Sequence, residues 1–274
     1  MILTYLLLYK FVLTSIVVIV LSFVAEYISP KWAGIFSGFP TGTAIILYFY
    51  ALENGLEFAG ESAIYNMVGL VAMQMFIFCY YLSGLVVKKF KIILSISGGI
   101  TGYAVTIILL SRFAFTPAFA VLIPLISIFI FKMLFQKIDH SEINVKIKPT
   151  WKVVLGRAGL AALTISLITG IAELVGHRWA GLFSAFPTTL FPLLLIIHFS
   201  YGERYAHSII KHVPDGLVGL LIYSLTIYLS YPQYGLYFGI ILSFSGALVY
   251  LIIYQLVTLR LRTHRGGSDI NIKE

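Results

Sequence analysis

Charge is what this sequence has least of. Only 11% of its 274 residues are Asp, Glu, Lys or Arg, against about 25% in soluble domains. Too few charged side chains are present to cover a water-soluble globule, which excludes a soluble enzyme or binding module. Cysteine is almost absent: Cys79 stands alone, so neither an intrachain disulfide nor a cysteine-built metal site can form. The patterns of common catalytic centres are missing too. There is no His-Glu-x-x-His, no phosphate-cradling glycine loop and no nucleophile elbow, so an enzyme is not expected and no cofactor or metal is implied. The excess of basic over acidic residues, 19 against 11, falls in short connections and the C-terminal tail. It reports topology there and implies no nucleic-acid partner.

What is present is apolar sequence. Hydrophobic residues make up 59% of the chain and its mean hydropathy is +0.96. Nine runs reach the roughly 20 residues a bilayer span requires: 3–28, 32–52, 61–87, 91–111, 114–136, 151–176, 179–199, 206–230 and 234–258. The first lacks a basic start and a small-residue cleavage site, so it reads as a retained helix, not a signal peptide. The expected fold class is an all-α integral membrane protein whose partner is the lipid bilayer.

Those runs contain a duplication. Trp32-Ala33-Gly34-Ile35-Phe36-Ser37-Gly38-Phe39-Pro40-Thr41 returns as Trp179-Ala180-Gly181-Leu182-Phe183-Ser184-Ala185-Phe186-Pro187-Thr188, an ungapped offset of 147 residues. Lys10 and Arg157, Glu26 and Glu173, Lys31 and Arg178, and Gly55 and Gly202 keep the same offset. Runs one to four therefore correspond to runs six to nine, and run five has no counterpart. The expected units are 1–111 and 151–258, joined by a linker helix and loop at 112–150 and followed by a basic tail at 259–274.

An odd helix between two four-helix units inverts the second, and the charges agree. With the N-terminus outside, the inner connections hold Lys31, Lys88, Lys89, Lys91, Lys137, Lys146, Lys148, Lys152, Arg204, Arg260, Arg262, Arg265 and Lys273, and the outer ones hold only Arg112 and Arg178. That bias predicts N-out, C-in in an inner (plasma) membrane. The architecture expected is 4+1+4 inverted repeats with helices two and seven broken. Pro40 and Pro187 each lie about 12 Å from an interface tryptophan, so the breaks approach the midplane from opposite faces.

A proline inside a helix removes one amide and frees the carbonyl four residues earlier, here Phe36 and Phe183. Paired broken helices mark the solute site in inverted-repeat transporters. This reading makes Ser37, Phe39, Pro40, Thr41, Ser184, Phe186, Pro187 and Thr188 the candidate substrate-binding residues. Half-helix amides favour an anion and freed carbonyls a cation. A second reading stands beside it: Gly34-x-x-x-Gly38 and Gly181-x-x-x-Ala185 let helices pack closely, and the hydroxyls repair the backbone at proline.

Four charged or titratable residues inside spans are further candidates. Lys10 and Arg157 either snorkel to water or attract an anion. Asp215 either couples a proton or cation, with His212, or is neutralised by Lys211 one turn away. Glu26 with Lys31 and Glu173 with Arg178 read as loose interface pairs. The expected function is thus a carrier or channel for a small solute or ion, with a slight lean to an anion. The alternative is a non-transporting membrane scaffold for envelope or exopolysaccharide assembly.

At Ala33-Gly34 through Pro40-Thr41 and Ala180-Gly181 through Pro187-Thr188, each half resembles the GlpM family of small bacterial inner-membrane proteins. The early basic residue (Lys10 or Arg157) and the glycine turn (Gly55 or Gly202) fit as well. The resemblance implies single units of about four spans, here present twice, and through one lineage a link with alginate production. It implies no substrate. The architecture is also similar to that of eukaryotic fluoride channels, a likeness of fold alone.

Overall fold

A computed structural model describes residues 2–26, 39–86, 90–138 and 151–268. Among these residues the chain is helical throughout: α1 (Ile2–Glu26), α2 (Thr41–Asn54), α3 (Leu56–Val86), α4 (Lys91–Leu110), α5 (Pro117–Gln136), α6 (Trp151–Gly170), α7 (Ala172–Ser184), α8 (Leu190–Tyr201) and α9 (Glu203–Ser268). Helices α3, α4, α5 and α9 are long and apolar enough to cross a bilayer, and α6 with α7, bent by 116° between them, makes a fifth candidate span. These are the helices of a multi-pass membrane protein.

The division between the fourth and fifth runs falls at Ser111–Thr116, where Pro117 opens α5 at the position in which its missing amide costs nothing. The eighth and ninth runs follow one another as two helices joined at a kink within α9. The apolar part of α9 is 56 residues long, about 84 Å at 1.5 Å per residue and more than twice a membrane core. Gly235, at φ 74° and ψ −174°, breaks it. A side chain at that φ would be strained, so glycine sets the bend between a proximal arm (203–234) and a distal arm (236–268). The corners α2–α3 and α8–α9 turn on glycines of nearly the same conformation, Gly55 (φ 94°, ψ 163°) and Gly202 (φ 90°, ψ 174°).

Helix α3 is the hub. It packs against α4, α9, α7, α5 and α2, whereas α1 packs chiefly on α6. One apolar cluster gathers Met67, Leu70, Phe76 and Tyr80 of α3 with Leu182, Leu194 and Leu217. A second joins Phe49 and Tyr50 of α2 to Ile165, Ala180, Tyr223 and Tyr231. Outside these clusters, α1, α4, α5, α6 and the distal arm of α9 leave large apolar side chains uncovered, Phe129, Ile108, Leu167 and Ile252 among them. In water such a surface drives association; hydrocarbon is its natural solvent.

Candidate functional site

The two proline sequences fold alike as far as both are described. Around Pro187, α7 stops at Ser184, the chain turns through Ala185–Thr189, and α8 begins at Leu190. The Thr188 N–H bonds to the Phe186 carbonyl, and the Phe191 N–H to the Pro187 carbonyl, both at 2.7 Å. Around Pro40 the Thr41 N–H bonds to the Phe39 carbonyl and the Ala44 N–H to the Pro40 carbonyl, again at 2.7 Å. Ser37 lies outside the described residues, as do Phe36, Gly34, Gly38 and Lys31.

These two turns meet. The Thr41 hydroxyl lies 3.5 Å from that of Thr189. A Cβ on Gly42 would fall 2.0 Å from Thr188 Oγ1, so only glycine lets the start of α2 approach so closely. Neither helix start has a side-chain cap, Pro40 and Thr189 holding the two N-cap positions. Both ends carry partial positive charge.

The freed-carbonyl expectation is corrected. The Phe183 carbonyl accepts the Phe186 N–H at 3.0 Å, closing a tight turn. Its neighbours are satisfied from other helices: Tyr50 donates to the Ala180 carbonyl at 2.9 Å, Tyr103 to Leu182 at 2.5 Å and Thr43 to Ser184 at 3.1 Å. Each carbonyl in this set therefore already accepts a hydrogen bond. Ser184 and Thr188 do not pair. The Ser184 hydroxyl donates to the Gly181 carbonyl and accepts from Asn66 Nδ2, while Asn66 Oδ1 accepts from Ser224, all at 2.7 Å. Asn66, Ser224, Tyr50 and Tyr103 are the contributors that motif reading missed. Each sits in an apolar run with no local pattern to single it out.

Phe186 packs edge-on against Tyr103, Phe76 and Phe191 at 5.1–5.9 Å between ring centres, and Phe39 lies 6.0 Å from Phe244. Both phenylalanines are half-buried and packed against the apolar clusters. Comparison of the chain with protein-family models, with curated proteins and with solved structures finds no match. Geometry alone has to speak for the site.

The charged candidates have partners that sequence spacing did not suggest. Lys10 does not snorkel. It is sealed in the protein, 2.7 Å from a Glu53 carboxylate oxygen and over the Phe49 ring. Asp215 is neutralised by Lys132 of α5 at 2.6 Å, with His212 at 3.8 Å. Lys211 turns away and donates to the Ile138 carbonyl at the end of α5. Arg178 lies over the Tyr65 ring and makes no ion pair with Glu173 among the described residues; the side chains of Glu26 and Lys31 lie outside them. His198 is buried and hydrogen-bonded to Tyr80 at 2.8 Å.

Arg157 differs from all of these. Its Nε is shut off from solvent without a hydrogen-bond partner, and no acid pairs with it among the described residues. The residue at the place of Glu53 in the second half, 147 positions on, is Ser200. Lys10 thus has an acid where Arg157 has none.

The Lys10–Glu53 pair predicts an asymmetry. Lys10 is 3% exposed and Glu53 19%, so each variant leaves a different orphan. Glu53→Gln strands a buried ammonium and should cost about 3 kcal/mol. Lys10→Gln leaves a carboxylate that can rotate to water and should cost about 1 kcal/mol or less. Thermal denaturation in detergent measures both; equal losses would refute this view of the pair.

Proposed function

We propose that the chain is a membrane permease for a small anionic solute, with its site where the starts of α2 and α8 face each other. The observation that carries this reading is the Thr41–Thr189 contact between two uncapped helix starts. Like partial charges so placed repel, and an anion between them relieves the repulsion. The carbonyls around Pro187 already accept hydrogen bonds, which weakens the case for a cation. Of the charges considered above, Lys10 and Asp215 are ion-paired, and Arg157 has no acid beside it among the described residues, which leaves a positive charge.

The proposal includes nine spans, N-out and C-in, arranged as 4+1+4 inverted repeats. The matching turns at Pro40 and Pro187 and the matching corners at Gly55 and Gly202 support it. A reporter fused to the C-terminus should be active only on the cytoplasmic side; activity outside would dismiss the topology.

One observation favours the scaffold reading. The break is closed: Thr41, Ser184 and Thr188 are all buried, and Gly181 and Gly69 pack against neighbouring helices with no room for a methyl group. Flux separates the two readings. Purified protein in liposomes should carry a small anion. Pro40→Ala with Pro187→Ala should abolish flux while the protein stays folded. Arg157→Gln should lower the rate about tenfold, and Lys10→Gln, already neutralised in the wild type, should change it little. No anion flux from folded wild-type protein would leave the scaffold as the better reading, and cation-selective flux would overturn the sign.

A further inference from the structure

A cavity of about 770 Å³ opens at the α8–α9 corner, away from the broken helices, between Phe90, Lys91, His198, Phe199, Glu203 and Arg204. Its charged features are the exposed Arg204 and an ion pair in which Lys91 Nζ lies 2.6 Å from both Glu203 oxygens. Aromatic side chains make up most of the remaining wall. The occupant such a lining suits is a small organic carboxylate, with an apolar body against the rings and a charged head at Lys91.

One helical turn beyond Glu203, on the same face of α9, stands His207. It is 8% exposed and its Nε2 has no hydrogen-bond partner. The Ser95 hydroxyl, fully buried on α4, has none either. Both atoms approach the bare face of Gly84 on α3, where a Cβ would lie 2.8 Å from Ser95 Oγ and 4.0 Å from His207 Nε2. Buried polar atoms without partners are rare and call for a reason. The titratable and charged groups facing His207 are Tyr81 of α3, ring centres 4.7 Å apart, Lys91 of α4, His198 of α8, and Glu203, Arg204 and Lys211 of α9.

We infer that this corner is a proton-controlled carboxylate site in which Glu203 exchanges between Lys91 and His207. With His207 neutral, Glu203 holds Lys91, and the exposed Arg204 is the cation left to the cavity. A proton from solvent on His207 Nε2 makes an imidazolium, which inside the protein needs a carboxylate beside it. Glu203, one turn away, supplies it and releases Lys91 to the cavity. An anion then binds Lys91 and keeps Glu203 on His207. Proton and anion each favour the other's binding by the same factor. The site does not rest on the permease reading, since it concerns binding at a different place in the fold.

Benzoate and the full-length protein in detergent provide the test, by isothermal titration between pH 5.5 and pH 8 in buffers of different ionisation enthalpy. The expected result is binding that tightens about tenfold towards the lower pH, with proton uptake from the buffer. His207→Gln should abolish the uptake and the pH dependence, leaving the weak affinity seen at pH 8. Glu203→Gln, which frees Lys91 permanently, should bind tightly at both pH values; Lys91→Gln should keep at most the weak affinity that Arg204 supplies, at either pH. Folding of each variant is checked by size-exclusion chromatography. Absence of benzoate binding to the wild type, or pH dependence surviving in folded His207→Gln, would overturn the inference. Binding with proton uptake but without liposome flux would keep this site and dismiss the permease.

Discussion

Replacing Gly181 by alanine is expected to destabilise the protein by about 3 kcal/mol or more, at the upper end of what overpacking a core costs. A Cβ there would lie 2.2 Å from the Ser62 carbonyl oxygen and 2.6 Å from Tyr65 Cβ. The first obstacle is backbone of the hub helix and cannot rotate aside, so α7 must move as a body. That movement pulls Ser184 from Asn66 and the Ala180 and Leu182 carbonyls from Tyr50 and Tyr103. Each group left buried and unpaired adds about 1–3 kcal/mol of its own.

Gly69 supplies the control. Its Cβ would meet Ala185 Cβ at 2.6 Å, a side-chain obstacle that can be deleted. Gly69→Ala should therefore be rescued by Ala185→Gly, whereas no single side-chain deletion should rescue Gly181→Ala. Gly159, with nothing within 4 Å of its missing Cβ, should accept alanine without loss. Thermal unfolding of the four proteins in one detergent decides the matter. A Gly181→Ala variant as stable as the wild type would mean that α7 and α3 do not touch as described.

The second large effect is expected at Asp215. Lys132→Met should cost about 3 kcal/mol, because it strands a carboxylate only 10% exposed, with no cation beside it among the described residues other than a histidine 3.8 Å away and with the Tyr254 hydroxyl as a neutral donor. Asp215→Asn should be milder, about 1 kcal/mol, since Lys132 is 46% exposed and its ammonium can reach water. The double variant should recover most of the loss, because it leaves no unpaired buried charge. The Lys132→Met defect should shrink as pH falls and Asp215 takes up a proton. A double variant no better than Lys132→Met would show that the two residues act independently.

The resulting role for α5 was not apparent from its sequence, in which it is the helix without a counterpart. Lys132 grips the proximal arm of α9 through Asp215, and the end of α5 receives Lys211 through the Ile138 carbonyl. Tyr250 of the distal arm donates to the Asp215 backbone carbonyl at 2.6 Å. The linker and both arms of α9 are therefore joined around one acid. Spacing along α9 suggested Lys211 as the partner, since i and i+4 side chains share a face. Lys132 won because α5 packs directly on α9 and brings its ammonium to the carboxylate.

By itself, the sequence determined what acts over one or two helical turns. Hydropathy set the membrane class and the positions of the apolar runs. Pro187 predicted a helix break, because a missing amide acts on its own backbone neighbours. Only the tertiary structure decided which groups satisfy one another across helices. Glu53 neutralises Lys10 and Lys132 neutralises Asp215; Tyr50, Tyr103 and Thr43 take the carbonyls around the break; His207 and Ser95 are left without partners over Gly84. Such pairings depend on which helix faces meet, and an apolar run of uniform hydropathy carries little information about the direction in which its few polar residues point.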